Sequence, residues 1–275
     1  MSYDIVHGDF ASGLRTRLHD AAFNNDVTSL RLMVQQGVAV NVSTIEGTTA
    51  LHEACSQGHI ICVKLLLEAG AEVNAMTIDS STPLCDASSY GNVECVRLLL
   101  RFGALTNPPL NLSTALHEAA MRGHVDCLQE LVTAGGKLEA MDLHFGTPLH
   151  AACFRESIQC AKVLLKAGAN VNALKIHATP LHVAASTDNP DLTTLLLDFG
   201  ANVHYTDNRG RRPVDLAVSG SVVAGILRSH AETVLPLTQQ CRLLIRRHLG
   251  HQITDSIHAL GLPMMLQNYI CFTRR

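Results

Sequence analysis

One period governs what this chain can fold into. TRLHDAA (from Thr16), TALHEAC (Thr49), TPLCDAS (Thr82), TALHEAA (Thr114), TPLHAAC (Thr147) and TPLHVAA (Thr179) recur, with a weaker RPVDLAV from Arg212, at steps of 33, 33, 32, 33, 32 and 33 residues. Apolar runs follow, such as CVKLLL (62–67), CVRLLL (95–100) and AKVLL (161–165), and then Gly-Ala and a polar return loop. A unit this short cannot bury its own apolar face, so neighbours must stack. The chain holds 47% hydrophobic residues but no Trp and only 4% aromatics, so the stacked core is aliphatic.

Within each unit the chemistry is local. Thr followed by Pro or Ala opens a first short helix, with Thr as its N-cap and Pro at the position where a missing N–H costs nothing. Gly58, Gly91 and Gly123 stop it, because glycine accepts the left-handed conformation a helix end requires. A second helix carries apolar residues at helical spacing and ends at Gly70, Gly103, Gly168 or Gly200.

The period and the T-P-L-H-x-A signature resemble the ankyrin repeat, over residues 14–229, in six clear copies and a degenerate seventh. The resemblance implies an all-α ankyrin-repeat solenoid. Two departures stand out. Cys85 occupies the slot that is His elsewhere, and the loop TNPPLNLS (106–113) inserts Pro108-Pro109, which cannot donate hydrogen bonds and predicts a rigid, reshaped finger.

Several constellations invite a catalytic reading. His19, His52, His117, His150 and His182 share one slot, yet stacked helices stand ~8–10 Å apart, so these rings do not converge on one ion. In the ankyrin family this His ties down the helix-start loop by hydrogen bonds. Cys62, Cys95, Cys127 and Cys160 share another slot and read as small buried hydrophobes, too far apart for disulfides. His52/Cys55 and His150/Cys153 sit three apart within the repeat motif, where core packing is the simpler reading. There is no GxxxxGK[ST], GxSxG, HExxH or CxxC string. We therefore expect no enzyme, no metal and no cofactor.

The net charge is −3 with a pI near 6.6, which does not suit a general nucleic-acid binder. The charge is uneven, because residues 228–275 carry six Arg against Glu232 and Asp255. A basic end on an acidic body points to two parts with different partners. The stretch MSYDIVHGDF has no signal-peptide core, and no run reaches the ~18 apolar residues of a membrane helix. The expectation is a soluble, cytoplasmic protein with reduced cysteines and no membrane contact.

The ankyrin resemblance also implies a binding face. Partners meet the loop tips and the variable positions of the first helices. Here those positions supply Tyr90, Met121, Arg122, Phe154 and Arg155, residue types enriched at interface hot spots. Loop-tip candidates are Asp79, Leu110, Leu112, His144, Phe145, Ile176 and His177.

The period fades after Leu227. Pro236 then suits a helix start, and Leu237, Cys241, Leu244, Ile245 and Leu249 form one apolar stripe, with Arg242, Arg246 and Arg247 off it. A second short helix is expected near 253–260, with Ile253, Ile257 and Leu260 in phase. A third opens at Pro263 and carries Leu266, Tyr269 and Ile270. Three short helices in ~45 residues make a small core, so the module must lean on the repeats, a partner, or both.

Pro236, Leu237, Cys241 and Ile245 are similar to the elongin-binding segment of the SOCS box. Leu262, Pro263, Met264 and Met265, followed by Leu266, Tyr269 and Ile270, are similar to its cullin-selecting Leu-Pro-x-Pro segment, with Met265 replacing the second proline. Placed behind ankyrin repeats, this module resembles the ankyrin repeat and SOCS box family. The resemblance implies a tail at 1–13, repeats at 14–229 and a SOCS box at 230–275, with elongin binding at 235–249 and cullin binding at 260–270. It further implies a substrate-recognition subunit of a ubiquitin ligase. Elongin C would take Pro236, Leu237, Cys241, Leu244, Ile245 and Leu249, and elongin B, cullin-5 and its RING protein would complete the assembly. Tyr90, Met121, Arg122, Phe145, Phe154 and Arg155 would hold a substrate protein. The alternative is a plain scaffold whose C-terminal helices only cap the solenoid.

Overall fold

A computed structural model describes residues 15–108, 113–233, 236–249, 256–257 and 259–271. The expected tail 1–13, Pro109, Leu110 and Leu112 of the 106–113 finger, and Ile253 lie outside the described residues. No strand occurs among the described residues; pairing is limited to isolated bridges such as Ser43 with Thr49 and Lys175 with Ala178. The chain divides into two compact units, Met1–Gly136 and Lys137–Arg275.

The first unit holds four helix pairs: α1 Arg17–Phe23 and α2 Val27–Gln35, α3 Ala50–Gln57 and α4 Ile60–Glu68, α5 Pro83–Tyr90 and α6 Val93–Arg101, α7 Ala115–Arg122 and α8 Val125–Thr133. The first helices α1, α3, α5 and α7 pack on one another in order, as do the second helices α2, α4, α6 and α8. Leu51, Leu66, Leu84, Leu99, Leu116 and Leu128 are fully buried between them. Gly58, Gly91 and Gly123 end α3, α5 and α7 at φ of 71°, 88° and 78°. At Gly58 the ring of Tyr90 lies where a Cβ would stand, so both conformation and space require glycine.

The histidine slot does what the ankyrin resemblance implies. The N–H of Thr16 donates to His19 Nδ1 at 3.2 Å, and that of Thr49 to His52 Nδ1 at 3.2 Å. With Nδ1 accepting, the proton sits on Nε2, which donates one repeat onward: His19 to the Thr48 carbonyl at 3.0 Å, His52 to that of Ser81 at 3.4 Å. Asparagines stitch the loops in the same sense. Asn41, Asn74 and Asn107 donate to the carbonyls of Gly70, Gly103 and Gly135, and the Asn41 and Asn74 side chains accept from the N–H groups of Glu72 and Leu105.

Repeat three is the weak stitch. Cys85 Sγ lies 3.9 Å from the Ser113 carbonyl, where a histidine Nε2 stands 3.0 to 3.4 Å from the equivalent carbonyl in four other repeats. A thiol is a poor donor at that distance. Cys85→His restores the bond between repeats three and four. We expect stability to rise by about 1 kcal/mol, read as a higher midpoint in thermal unfolding; an unchanged or lower midpoint counts against this account of the slot.

The second unit begins with α9 Pro148–Phe154 and α10 Ile158–Lys166, then α11 Pro180–Ser186 and α12 Pro190–Asp198, then a short α13 Pro213–Leu216 and α14 Val222–Glu232. α9, α11 and α13 pack in series, as do α10, α12 and α14. Leu149, Leu164, Leu165, Leu181, Leu196 and Leu227 fill the interior. His150 and His182 repeat the bridge, reaching the carbonyls of Ala178 at 3.2 Å and Arg211 at 3.1 Å. Two further helices follow, α15 Leu237–Leu249 and α16 Met264–Cys271, which pack on each other. Of the short helix expected near 253–260, residues 256, 257 and 259 are helical and Leu260 lies in the turn that follows.

Candidate functional site

α15 starts one residue after Pro236 and runs without an internal Gly or Pro. Its apolar stripe is split between two faces. Leu237 is 74% exposed and Leu244 57%, with Cys241 and Ile245 exposed beside them and Pro236 at the open start. Leu249 does not join this row. It packs against Ile257 and Ile270, with Leu262 and Cys271, in a small core of the C-terminal module.

The opposite face of α15 carries Arg242, Leu243, Arg246 and Leu249, at helical spacing i, i+1, i+4 and i+7. The Arg242 guanidinium lies 4.6 Å over the Tyr269 ring. Leu243 sits against the Gly200 turn, where an added Cβ would come within 3.1 Å of it. Arg246 is 8% exposed. It donates to the carbonyls of Ile270 at 2.9 Å and Leu165 at 2.7 Å, and stands 4.9 Å over the Phe199 ring. Burial lowers its pKa to about 10.

α16 is likewise two-sided. Pro263, Met264, Met265 and Leu266 are exposed, Met265 by 84%. The Gln267 side chain donates to the Leu262 carbonyl at 2.6 Å and ties down the helix start. Ile270 was expected as a cullin contact, but at 4% exposure its side chain belongs to the module's own core. Leu249, expected as an elongin contact, is half-buried against the same core. Apolar spacing alone does not say which side of an amphipathic helix its own domain covers. Sequence reading set Arg246 off the apolar stripe but not against the repeats. The available signal was its placement four residues after Arg242, in phase with Leu243 and Leu249.

Among the expected substrate-facing residues, Tyr90 and Arg122 are exposed and Met121 is half-buried in the first unit. In the second unit Phe154 and Arg155 are exposed. The finger residue Phe145 comes to 5.9 Å from the Phe154 ring, with His144 edge-on to Phe145 at 6.5 Å. Finger and helix end thus meet in one aromatic cluster. Ile176 and His177 are exposed on the next finger, both at positive φ.

The cysteines of the repeats lack the setting of a nucleophile. Burial pushes the thiols of Cys85 and Cys127 up to about 11 and that of Cys95 to about 12, away from the reactive thiolate. Among the described residues no cluster of three His, Cys, Asp or Glu could hold a metal ion, and no helix is long and apolar enough to cross a membrane.

Ankyrin-repeat family models match residues 18–109, 104–175 and 164–217, and a SOCS box model matches 233–271. The chain is 44% identical over 268 residues to ankyrin repeat and SOCS box protein 5 of Mus musculus, covering 98% of this chain and 82% of that protein. The chain belongs to the ankyrin repeat and SOCS box family. It is also 47% identical to ankyrin repeat and SOCS box protein 9 of Mus musculus, over 92% of this chain and 87% of that protein. Among solved structures, the human ASB11 ankyrin repeat domain superimposes with a TM-score of 0.76 at 38% identity, over 81% of this chain and all of that one. Membership makes the chain a substrate receptor of the cullin–RING ubiquitin ligase class, with an ankyrin array and a SOCS box as its two working parts.

Proposed function

We propose that this family member recruits substrates to an elongin B/C–cullin-5–RING ligase, with repeats at 14–229 and a SOCS box at 230–275. The observation that carries the reading is the exposed row Leu237, Cys241, Leu244 and Ile245 on α15, directly behind the ankyrin array. An apolar helical face of this kind fits a groove in elongin C. Met264, Met265 and Leu266 would meet cullin-5, through a segment in which Met265 replaces the usual second proline. The chain itself performs no covalent chemistry. It holds a substrate lysine near a ubiquitin-charged enzyme, and the acceleration is one of proximity.

Co-expression with elongin B/C, followed by size exclusion, tests the reading. A stable ternary complex is expected, and separate elution of chain and elongins refutes it. Capping is the rival role for α15, and it has support in the contacts of Leu243 and Arg246 with the repeats. Capping accounts for the inward face and leaves the outward row without a purpose.

Substrate binding falls to the exposed aromatic and basic side chains. Alanine at Tyr90, Arg122 and Phe154 together should weaken capture of the substrate at least about tenfold while elongin B/C still binds. Proximity labelling, compared between the parent and this triple variant, reads that loss directly. Loss of both partners at once would mean that the repeats had misfolded.

A further inference from the structure

Arg246 is a cation taken out of water, which costs free energy unless the surroundings replace the lost hydration. The replacement comes from helix ends. Leu165 is the penultimate residue of α10 and Ile270 of α16. The Leu165 carbonyl already accepts from the Gly168 N–H at 3.1 Å and takes the guanidinium on its second lone pair. Both carbonyls accept from the one guanidinium, Leu165 from Nη2 and Ile270 from Nη1. The last turn of a helix carries partial negative charge, so two such ends favour a cation between them. The face of the Phe199 ring, at the C-terminal end of α12, lies 4.9 Å from the same group. Arg246 thereby joins two repeats, α15 and α16 at a single point. A planar fork can do this; a lysine ammonium, with one nitrogen, cannot reach both carbonyls in the same way.

We propose that Arg246 is a positioning residue that locks α15 onto the fifth and sixth repeats, so that the outward Leu237/Cys241/Leu244 row is held in one orientation relative to them. Its value to a ligase rests on the elongin reading above, since transfer needs a fixed span between receptor and partner. The lock itself does not depend on that reading. Its components all lie in the second unit, and none belongs to the outward row.

The test places spin labels on keto amino acids introduced at the exposed positions Lys162 of α10 and His248 of α15. Pulsed dipolar spectroscopy then records the distance distribution in the free full-length chain and again with elongin B/C added. The parent should give one narrow distribution. Arg246→Ala should broaden it and add longer distances, and Arg246→Lys, which keeps the charge, should recover part of the narrowing. Elongin B/C should still bind, with affinity reduced no more than about tenfold, because the outward row is intact and only its ordering before binding is lost. An Arg246→Ala distribution that superimposes on the parent's overturns the proposal, and so does a parent distribution already as broad as the variant's. A parent that binds no elongin sinks the functional reading only, because the contrast in the free chain still decides the role of Arg246.

Discussion

Leu237→Ser combined with Cys241→Ser should abolish co-purification of elongin B/C and leave the thermal unfolding midpoint where it was. Both side chains are exposed, and surface substitutions away from packing change stability by no more than about 0.5 kcal/mol. In a groove the same positions would lose the burial of one leucine and place two hydroxyls against apolar walls. That amounts to roughly 3–4 kcal/mol, or several hundred-fold in affinity. The capping role predicts the reverse, with a lower midpoint and no elongin bound to the parent either. Pull-down and calorimetry on the same preparation separate the two. Leu249→Ser is the matching control. Its side chain packs on Ile257 and Ile270, so it should lower stability as well as binding.

That control marks where the sequence was legible and where it was not. The repeat could be read because its signals are local. Thr caps its own helix, His reaches back three residues to the Thr N–H, and Gly ends the turn, so each motif carries its structure with it. The period then dictates stacking. The C-terminal module lacks such redundancy. Leu237, Cys241, Leu244, Ile245 and Leu249 fall on one arc of a helical wheel, but the packing of α16 and residue 257 draws Leu249 away from the row. Ile270 goes the same way. For Arg246 the spacing shows the face but not the partners. Its partners are backbone carbonyls 81 and 24 residues away, and a carbonyl has no letter in the sequence. A charged residue off an apolar stripe reads as solvated until the helix ends that receive it are seen.

One α15 therefore serves two ends. Its inward face uses a charge, a leucine and an aromatic contact to fasten the helix, which frees the outward face from any structural duty. Exposed apolar side chains on a fastened helix are already ordered before a partner arrives, so less conformational entropy is lost on binding. This combination gives a reason for the module to be so small. It needs no large core of its own, because the repeats supply the platform.

Acid should weaken the first unit through His52. Desolvation lowers its pKa from 6.5 to about 4, and its Nδ1 is already taken by the Thr49 N–H. The unfolded chain accepts the proton first, so this stability is complete above pH 6.5 and is lost as pH falls toward 4. A shift of that size is worth about 3 kcal/mol. His182 is lowered by burial too and carries the same sign in the second unit. Asp86 opposes it. Burial raises its pKa from 3.8 to about 6, so its ionised form weakens the fold increasingly as pH rises from 3.8 through 6. Asp86→Asn should therefore be more stable than the parent at pH 7.5, by about 1–2 kcal/mol after allowing for the water that still reaches this half-buried group. The gain should vanish near pH 4, leaving a steeper acid loss governed by His52. His52→Gln should do the opposite, with lower stability at pH 7.5 and a flatter dependence between 6.5 and 4. Urea unfolding of the parent and both variants across that range measures all three slopes. If Asp86→Asn proves less stable at pH 7.5, the carboxylate is held by its Ser81 hydrogen bond more strongly than burial penalises it, and the opposing sign assigned to Asp86 is wrong.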